Sequence, residues 1–297
     1  MAAERAPVRT TTSTTTTRLT TSSTAAPAPT TTSTAGPVDM FALRPPAAAG
    51  DPASLAEQIT TAERTIRDDL STDAAVAEAA LAQQVAYRQL GAHAEWDESV
   101  LAALPQELHG TALRNAAARR EFRGMRTKLT ATLPAWRIVE PAPADQLLTL
   151  YREAETAFGI PWRYLAAINL VETGTGRIRG TSSAGAQGPM QFLPATWVAY
   201  GAGGDINDTR DAIMGAARYL AANNGAADID NALFRYNHSD RYVRGVKLYG
   251  DLIAEHPRAF LGYHHWGVWY LTDQGDVYLP VGYEQTSPIP VGDHREG

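Results

Sequence analysis

From residue 51 onward the apolar positions of the chain fall mainly at helical spacing. Leu55, Ile59, Ala62, Ile66 and Leu70 recur in steps of three and four, which lines one face of a helix. Asp51 or Ser54 can cap its start, and Pro52 suits a first turn, where its missing N–H costs nothing. Residues 73–90 predict a second, alanine-rich helix carrying Val76, Leu81 and Val85, and a third is expected from about Thr111 to Leu133. Pro141-Ala142-Pro143 then breaks the pattern, because each proline pushes its predecessor out of the helical region. Residues 145–158 and 162–173 predict two further helices, closed by Gly159 and Gly174. The second of these turns Leu165, Ile168 and Asn169 inward, with Glu172 on the same face. After a glycine-rich loop, helices are expected near 194–200, 209–223, 229–236 and 240–255, with Asp208, Asp228 and Ser239 as caps.

The period changes after about residue 257. Val268 and Tyr270, then Gln274-Gly275, then Val277, Leu279 and Val281 alternate as in a short β-hairpin. Residues 1–50 have no apolar period. Runs such as Thr14-Thr15-Thr16-Thr17 and Pro27-Ala28-Pro29 have too little to bury to offset their ordering entropy, so this stretch is expected to be a disordered linker or stalk. The expected organisation is a tail over 1–50, a helical region over 51–140, a mainly helical domain over 141–256 and an aromatic-rich hairpin extension over 257–297.

Composition narrows the function classes. The chain has 297 residues, 44% hydrophobic and 20% charged, an ordinary globular balance with room for a sizeable core. A net charge of −6 argues against nucleic-acid binding, which needs a basic field. With no cysteine, disulfides, thiolate zinc sites and cysteine nucleophiles are excluded. No run reaches the roughly 18 apolar residues of a bilayer span, so no stable membrane insertion is expected. Met1 to Arg9 lacks the apolar stretch of a secretory leader. The third helix carries Arg114, Arg119, Arg120, Arg123, Arg126 and Lys128 against Glu121; it reads more simply as a solvated face than as a patch for anionic polymers.

Glu172 falls in the last turn of a helix that is apolar on the same face. The negative end of the helix dipole and apolar surroundings both disfavour a carboxylate and raise its pKa. A general acid working near neutral pH needs that shift. Alone, a glutamate in a last turn reads more simply as a solvated end residue. The loop after it changes the reading. Gly174, Gly176, Gly180, Gly185 and Gly188 permit tight turns and close approach of backbone to a ligand. Gln187 and Gln191 stand between and beside them, neutral groups that both donate and accept. That set suits the uncharged hydroxyls and acetamides of sugars. It does not suit phosphates, and neither a P-loop lysine nor a dinucleotide glycine fingerprint is present.

Two stretches carry a family resemblance. Val171-Glu172-Thr173-Gly174-Thr175-Gly176-Arg177, followed by Gly185-Ala186-Gln187-Gly188-Pro189-Met190-Gln191-Phe192-Leu193-Pro194, resembles the signatures of lytic transglycosylases, the second stretch being similar to the membrane-bound B type. Arg235-Tyr236-Asn237 stands where the soluble type has alanine-tyrosine-asparagine. The resemblance covers roughly residues 145–256. It implies a mainly α, lysozyme-like (goose-type) domain that cleaves peptidoglycan glycan strands between N-acetylmuramic acid and N-acetylglucosamine, outside the cytoplasmic membrane and without a cofactor. The family's catalytic glutamate falls on Glu172, and substrate contacts fall on Gln187, Met190, Gln191, Tyr236 and Asn237. Thr173, Arg235 and His238 depart from the soluble pattern and bear on subfamily rather than on reaction class.

An ordinary glycosidase uses two carboxylates, and no second acid lies inside these motifs. The substrate's own acetamide is then expected to supply the missing group, giving a 1,6-anhydro product. A hydrolytic muramidase and a non-catalytic wall-binding protein are the alternatives. Asp205, Asp208 and Asp211 are possible second acids, but capping and turn roles explain them more simply. His264-His265, with His238 and His256, would be needed for a metal; adjacent histidines usually point apart, so no metal is expected. Phe260, Tyr263, Trp266, Trp269, Tyr270, Tyr278 and Tyr283 form either a sugar-stacking surface or, more simply, the packing of the hairpin.

Overall fold

The computed structural model describes residues 43–294, so most of the stretch read as a disordered tail lies outside the described residues. Among them are eleven α-helices: α1 Pro52–Arg67, α2 Asp73–Ala92, α3 Asp97–Ala103, α4 His109–Gly124, α5 Ala144–Phe158, α6 Trp162–Thr173, α7 Pro194–Tyr200, α8 Thr209–Ala222, α9 Ile229–Tyr236, α10 Asp240–Glu255 and α11 Ala259–His265. Six short strands, β1 Thr132–Leu133, β2 Arg137–Ile138, β3 Ile178–Arg179, β4 Val268–Thr272, β5 Gly275–Leu279 and β6 Ile289–Pro290, form three antiparallel pairs, β1 with β6, β2 with β3 and β4 with β5. The fold is mainly α.

Local chemistry sets most helix ends. The Asp51 carboxylate accepts from the N–H groups of Ala53 and Ser54 at 2.9 and 3.0 Å, with Pro52 opening α1. Asp208 caps α8 and Asp228 caps α9 in the same way, whereas Ser239 precedes α10 without a side-chain capping bond. Gly159 and Gly174 both take the left-handed conformation that ends α5 and α6.

One hydrophobic core runs from Leu55 to Trp266. α10 is its pivot, packing on α4 along one side and on α6 along the other. Glycines allow the closest approaches: a Cβ on Gly245 of α10 would stand 2.4 Å from the Phe122 ring of α4. α6 is more enclosed than a single apolar face predicts, since residues 164–170 are all buried. A second, smaller core gathers Leu133, Ile138, Val268, Leu279 and Tyr283 around the strand pairs.

The structure corrects three expectations. The third helix stops at Gly124 instead of continuing to 133, because residues 132–133 pair with 289–290 as strands. Leu70, read as part of the apolar face of the first helix, lies beyond the end of α1 at Arg67 and is 90% exposed. The run after 257 opens not with strand but with α11, which buries Phe260 and Tyr263 at a helical spacing of three. The β4–β5 hairpin follows, in register from Val268 opposite Leu279 to Thr272 opposite Gly275.

Candidate active site

The end of α6 is the anchor of the site. Gly174 and Thr175 both take positive φ, and the Thr175 N–H closes back onto the Asn169 carbonyl at 3.0 Å. This closure leaves Glu172 in the last turn. A staple of buried polar groups fixes that turn to the loop at 185–192. Tyr151 donates its hydroxyl to Asn169 Oδ1 at 2.6 Å, Asn169 Nδ2 donates to the Pro189 carbonyl at 2.9 Å, and Thr173 Oγ1 donates to the same carbonyl at 2.6 Å. Every member has a partner, so the network is rigid rather than costly.

The loop owes its shape to three left-handed residues, Gly185, Gly188 and Gln191. Gly188 has φ 74° and lies so close to Ile206 that a Cβ would meet its carbonyl oxygen at 1.9 Å. Gln191 takes φ 51° without being glycine, and its Nε2 donates to the Gly188 carbonyl at 3.0 Å. Gln187 bridges to Phe192 through backbone bonds. Met190 is fully buried; what it offers is its carbonyl, which accepts from the Tyr236 hydroxyl at 2.6 Å.

Glu172 itself is partly buried, and burial pushes its carboxyl up to about 7, partly offset by a hydrogen bond from Tyr242. Tyr242 Oη donates to Glu172 Oε1 at 2.7 Å. The two tyrosine rings, 236 and 242, stack with centroids 6.4 Å apart and planes 8° off parallel. Burial, then the nearby Glu172, holds both phenols well above their ordinary range, so both remain neutral donors. Tyr242 is the site residue that sequence reasoning missed. Its one available signal was its buried position near the start of α10, since a buried phenol needs a partner.

Glu172 opens on a cleft of about 330 Å³. Its walls include Asn237 and Tyr242, the aromatic residues Trp136, Trp269 and Tyr270, and a second acid, Asp276, from β5. Gln187, Met190, Gln191 and Tyr236 are not part of this lining. The structure therefore brings Glu172, Tyr236, Asn237 and Met190 into one linked group, with Gln187 and Gln191 in the supporting loop.

A segment of 81 residues, 27% of the chain, is 41% identical to part of a membrane-bound lytic murein transglycosylase F from Thiobacillus denitrificans. The likeness is to a lytic murein transglycosylase. The chain covers 17% of that relative's length, so the match is to a piece of it. No family model matches the chain, and no solved structure matches it.

The remaining candidates take structural parts. Asp208 caps α8, Asp211 accepts the Asp205 N–H at 2.9 Å, and Asp205 accepts the Asn207 N–H at 2.9 Å. His264 and His265 sit in α11, not in a strand, with rings 88° apart. His264 Nε2 donates to the Ala142 carbonyl at 2.9 Å and burial pushes this imidazole down to about 3. No group of three or more metal-ligating side chains occurs among the described residues, and no described helix is long and apolar enough to cross a membrane. The aromatic run divides. Phe260, Tyr263 and Trp266 are buried in the core, while Trp269 and Tyr270 face the cleft, as Trp266 does at one edge.

The Tyr242 bond makes a separable prediction. Tyr242→Phe removes the donor that favours the Glu172 carboxylate, leaving burial unopposed, so the Glu172 value rises above about 7. Activity that requires the protonated acid then persists to higher pH, the alkaline limb of kcat/KM moving up by about 0.7 pH unit for a bond worth about 1 kcal/mol. An unmoved or lowered limb would show that the hydroxyl does not govern this carboxyl.

Proposed function

We propose that the chain is a peptidoglycan lytic transglycosylase that cleaves the β-1,4 bond between N-acetylmuramic acid and N-acetylglucosamine, acting outside the cytoplasmic membrane through a lysozyme-like arrangement of residues 141–256. The observation that carries this reading is a carboxyl at the wall of a cleft, raised by burial to about 7 and bonded by a neutral tyrosine. Near neutral pH such a group passes readily between acid and base, which is worth about 10²–10⁴ in rate. The partial likeness to a lytic murein transglycosylase supports the substrate class.

Glu172 protonates the glycosidic oxygen as the bond to the muramic anomeric carbon breaks. The muramic acetamide oxygen attacks that carbon, so no second protein carboxylate is needed. Asp276, the other acid in the cleft, is held in ion pairs by Arg88 and Arg123 and is poorly placed to serve as a base. Glu172, now ionised, takes the proton from the muramic 6-hydroxyl, whose oxygen displaces the acetamide and closes the 1,6-anhydro ring. Asn237 and Tyr242, which line the cleft with Glu172, orient the acetamide, while Tyr236 and Gln191 hold the adjoining loop in place.

Mass spectrometry of digested peptidoglycan tests this directly. Fragments ending in 1,6-anhydro-muramic acid are expected. Ordinary reducing ends would make the chain a hydrolytic muramidase, and intact strands would make it a non-catalytic wall-binding protein.

A further inference from the structure

The arginines of α4 do not share one fate. Arg114 is paired with Glu255, and Arg120 with Asp97 at 2.6 and 2.8 Å. Arg119, Arg123 and Arg126 instead turn toward the cleft that holds Glu172, and Arg88 of α2 joins them there. Against these four guanidinium groups the cleft lining offers one acid besides Glu172, Asp276, which pairs with Arg88 and lies 3.6 Å from Arg123.

Such a grouping of like charges is electrostatically unfavourable. Burial, then repulsion from Arg119, pushes Arg88 down to about 9. Arg119 keeps its Nε buried with no hydrogen-bond partner. Aromatic faces carry two of the cations, the Arg88 guanidinium standing 4.7 Å from the Trp269 ring centre and that of Arg126 5.6 Å from the Tyr270 ring centre. Stacking of this kind leaves the N–H edge of a guanidinium available: Arg88 gives its edge to Asp276, and that of Arg126 is left to receive a carboxylate.

We propose that this basic wall, built by α2, α4 and the segment after α4, is a specificity subsite for a carboxylate carried on the same glycan strand that lies over Glu172. The inference rests on the reading of the cleft as the site of glycan cleavage, and it adds a requirement for charge on the strand. The anion enters with the ligand and relieves the repulsion among the arginines, so affinity depends on charge rather than on sugar alone.

Quenching of tryptophan fluorescence reports on binding, because Trp136 and Trp269 line the cleft. The probe is N-acetylglucosaminyl-N-acetylmuramyl dipeptide ending in a free carboxylate, compared with the same molecule amidated, on the full chain; neither carries a bond from muramic acid to a following glucosamine, so neither is consumed. The acid form is expected to bind at least about tenfold more tightly than the amide, the scale of one charged hydrogen-bonded contact. Adding Arg123→Gln and Arg126→Gln, two exposed positions, removes that preference, so that acid and amide bind alike. Adding Asp276→Asn instead, which frees Arg88 and Arg123, tightens the acid form further. Equal binding of acid and amide, or a preference untouched by the arginine changes, overturns the inference. Selective binding without any strand cleavage by the unmutated chain would sink the proposed function and leave this subsite standing; cleavage with indifference to charge would do the reverse.

Discussion

Glu172→Gln is expected to abolish strand cleavage, by a factor on the order of 10³ or more, while making the fold more stable above neutral pH. The two effects share a cause. The folded chain holds this carboxyl at about 7 against an ordinary 4.5, chiefly through burial. Below about 4.5 the group is protonated in both folded and unfolded chains. As pH rises from there through about 7, the unfolded chain releases the proton first, and the advantage of the protonated folded form is lost. Above 7 the buried charge costs about 3 kcal/mol, the free-energy equivalent of that displacement. Glutamine never ionises, and its amide oxygen still accepts from Tyr242. Melting curves at pH 5 and pH 8 measure this: the variant and parent should differ little at pH 5, and the variant should gain several degrees over the parent at pH 8. A parent as stable as the variant at pH 8 would mean that the carboxyl is not held under strain. Retained cleavage would remove Glu172 from the chemistry altogether.

Gly188→Ala is expected to be the most damaging single-atom addition in the loop beside the site. The new Cβ would stand 1.9 Å from the Ile206 carbonyl oxygen, and the residue would be held at φ 74°. Overpacking and left-handed strain together cost about 2–4 kcal/mol. The damage extends to activity, because the loop is stapled to the last turn of α6 through the Pro189 carbonyl. Gly185→Ala is the control: its φ is 85°, but nothing lies within 4 Å of the added atom, so only the conformational cost of about 1 kcal/mol applies. Denaturant unfolding of the two variants separates clash from backbone strain. Equal losses would show that Ile206 moves aside.

What could be seen in the sequence was what depends on near neighbours. The caps at Asp51, Asp208 and Asp228 each satisfy N–H groups two or three residues away, and the helix stops at Gly159 and Gly174 depend on one residue's φ. The direction of the Glu172 shift was also legible, since the apolar helix face that buries the carboxyl acts locally. Pairings across the chain were not. β1 meets β6 through two residues on each side, too few to show a period. Phe260 and Tyr263 are aromatic residues as suited to strand as to helix, which hid α11. Tyr242 reaches Glu172 only because α10 packs on α6, and Asp276 reaches the cleft only because the hairpin folds back over it. A basic stripe read as solvated surface thus became one wall of the cleft, through contacts that no spacing in the sequence encodes.

One tie crosses most of this distance. Arg177, 1% exposed, sits just after the last turn of α6 and donates to the carbonyls of Trp266 and His264 at 2.9 and 2.6 Å. Near it, Val268 through Leu271 and Asp276 complete the far wall. The acid is therefore synthesised about a hundred residues before its pocket exists. A chain still emerging from the ribosome, or one clipped ahead of the hairpin, carries Glu172 without the chamber around it. A chain cut between Arg177 and Trp266 is therefore expected to show no strand cleavage, although Glu172 and its helix remain.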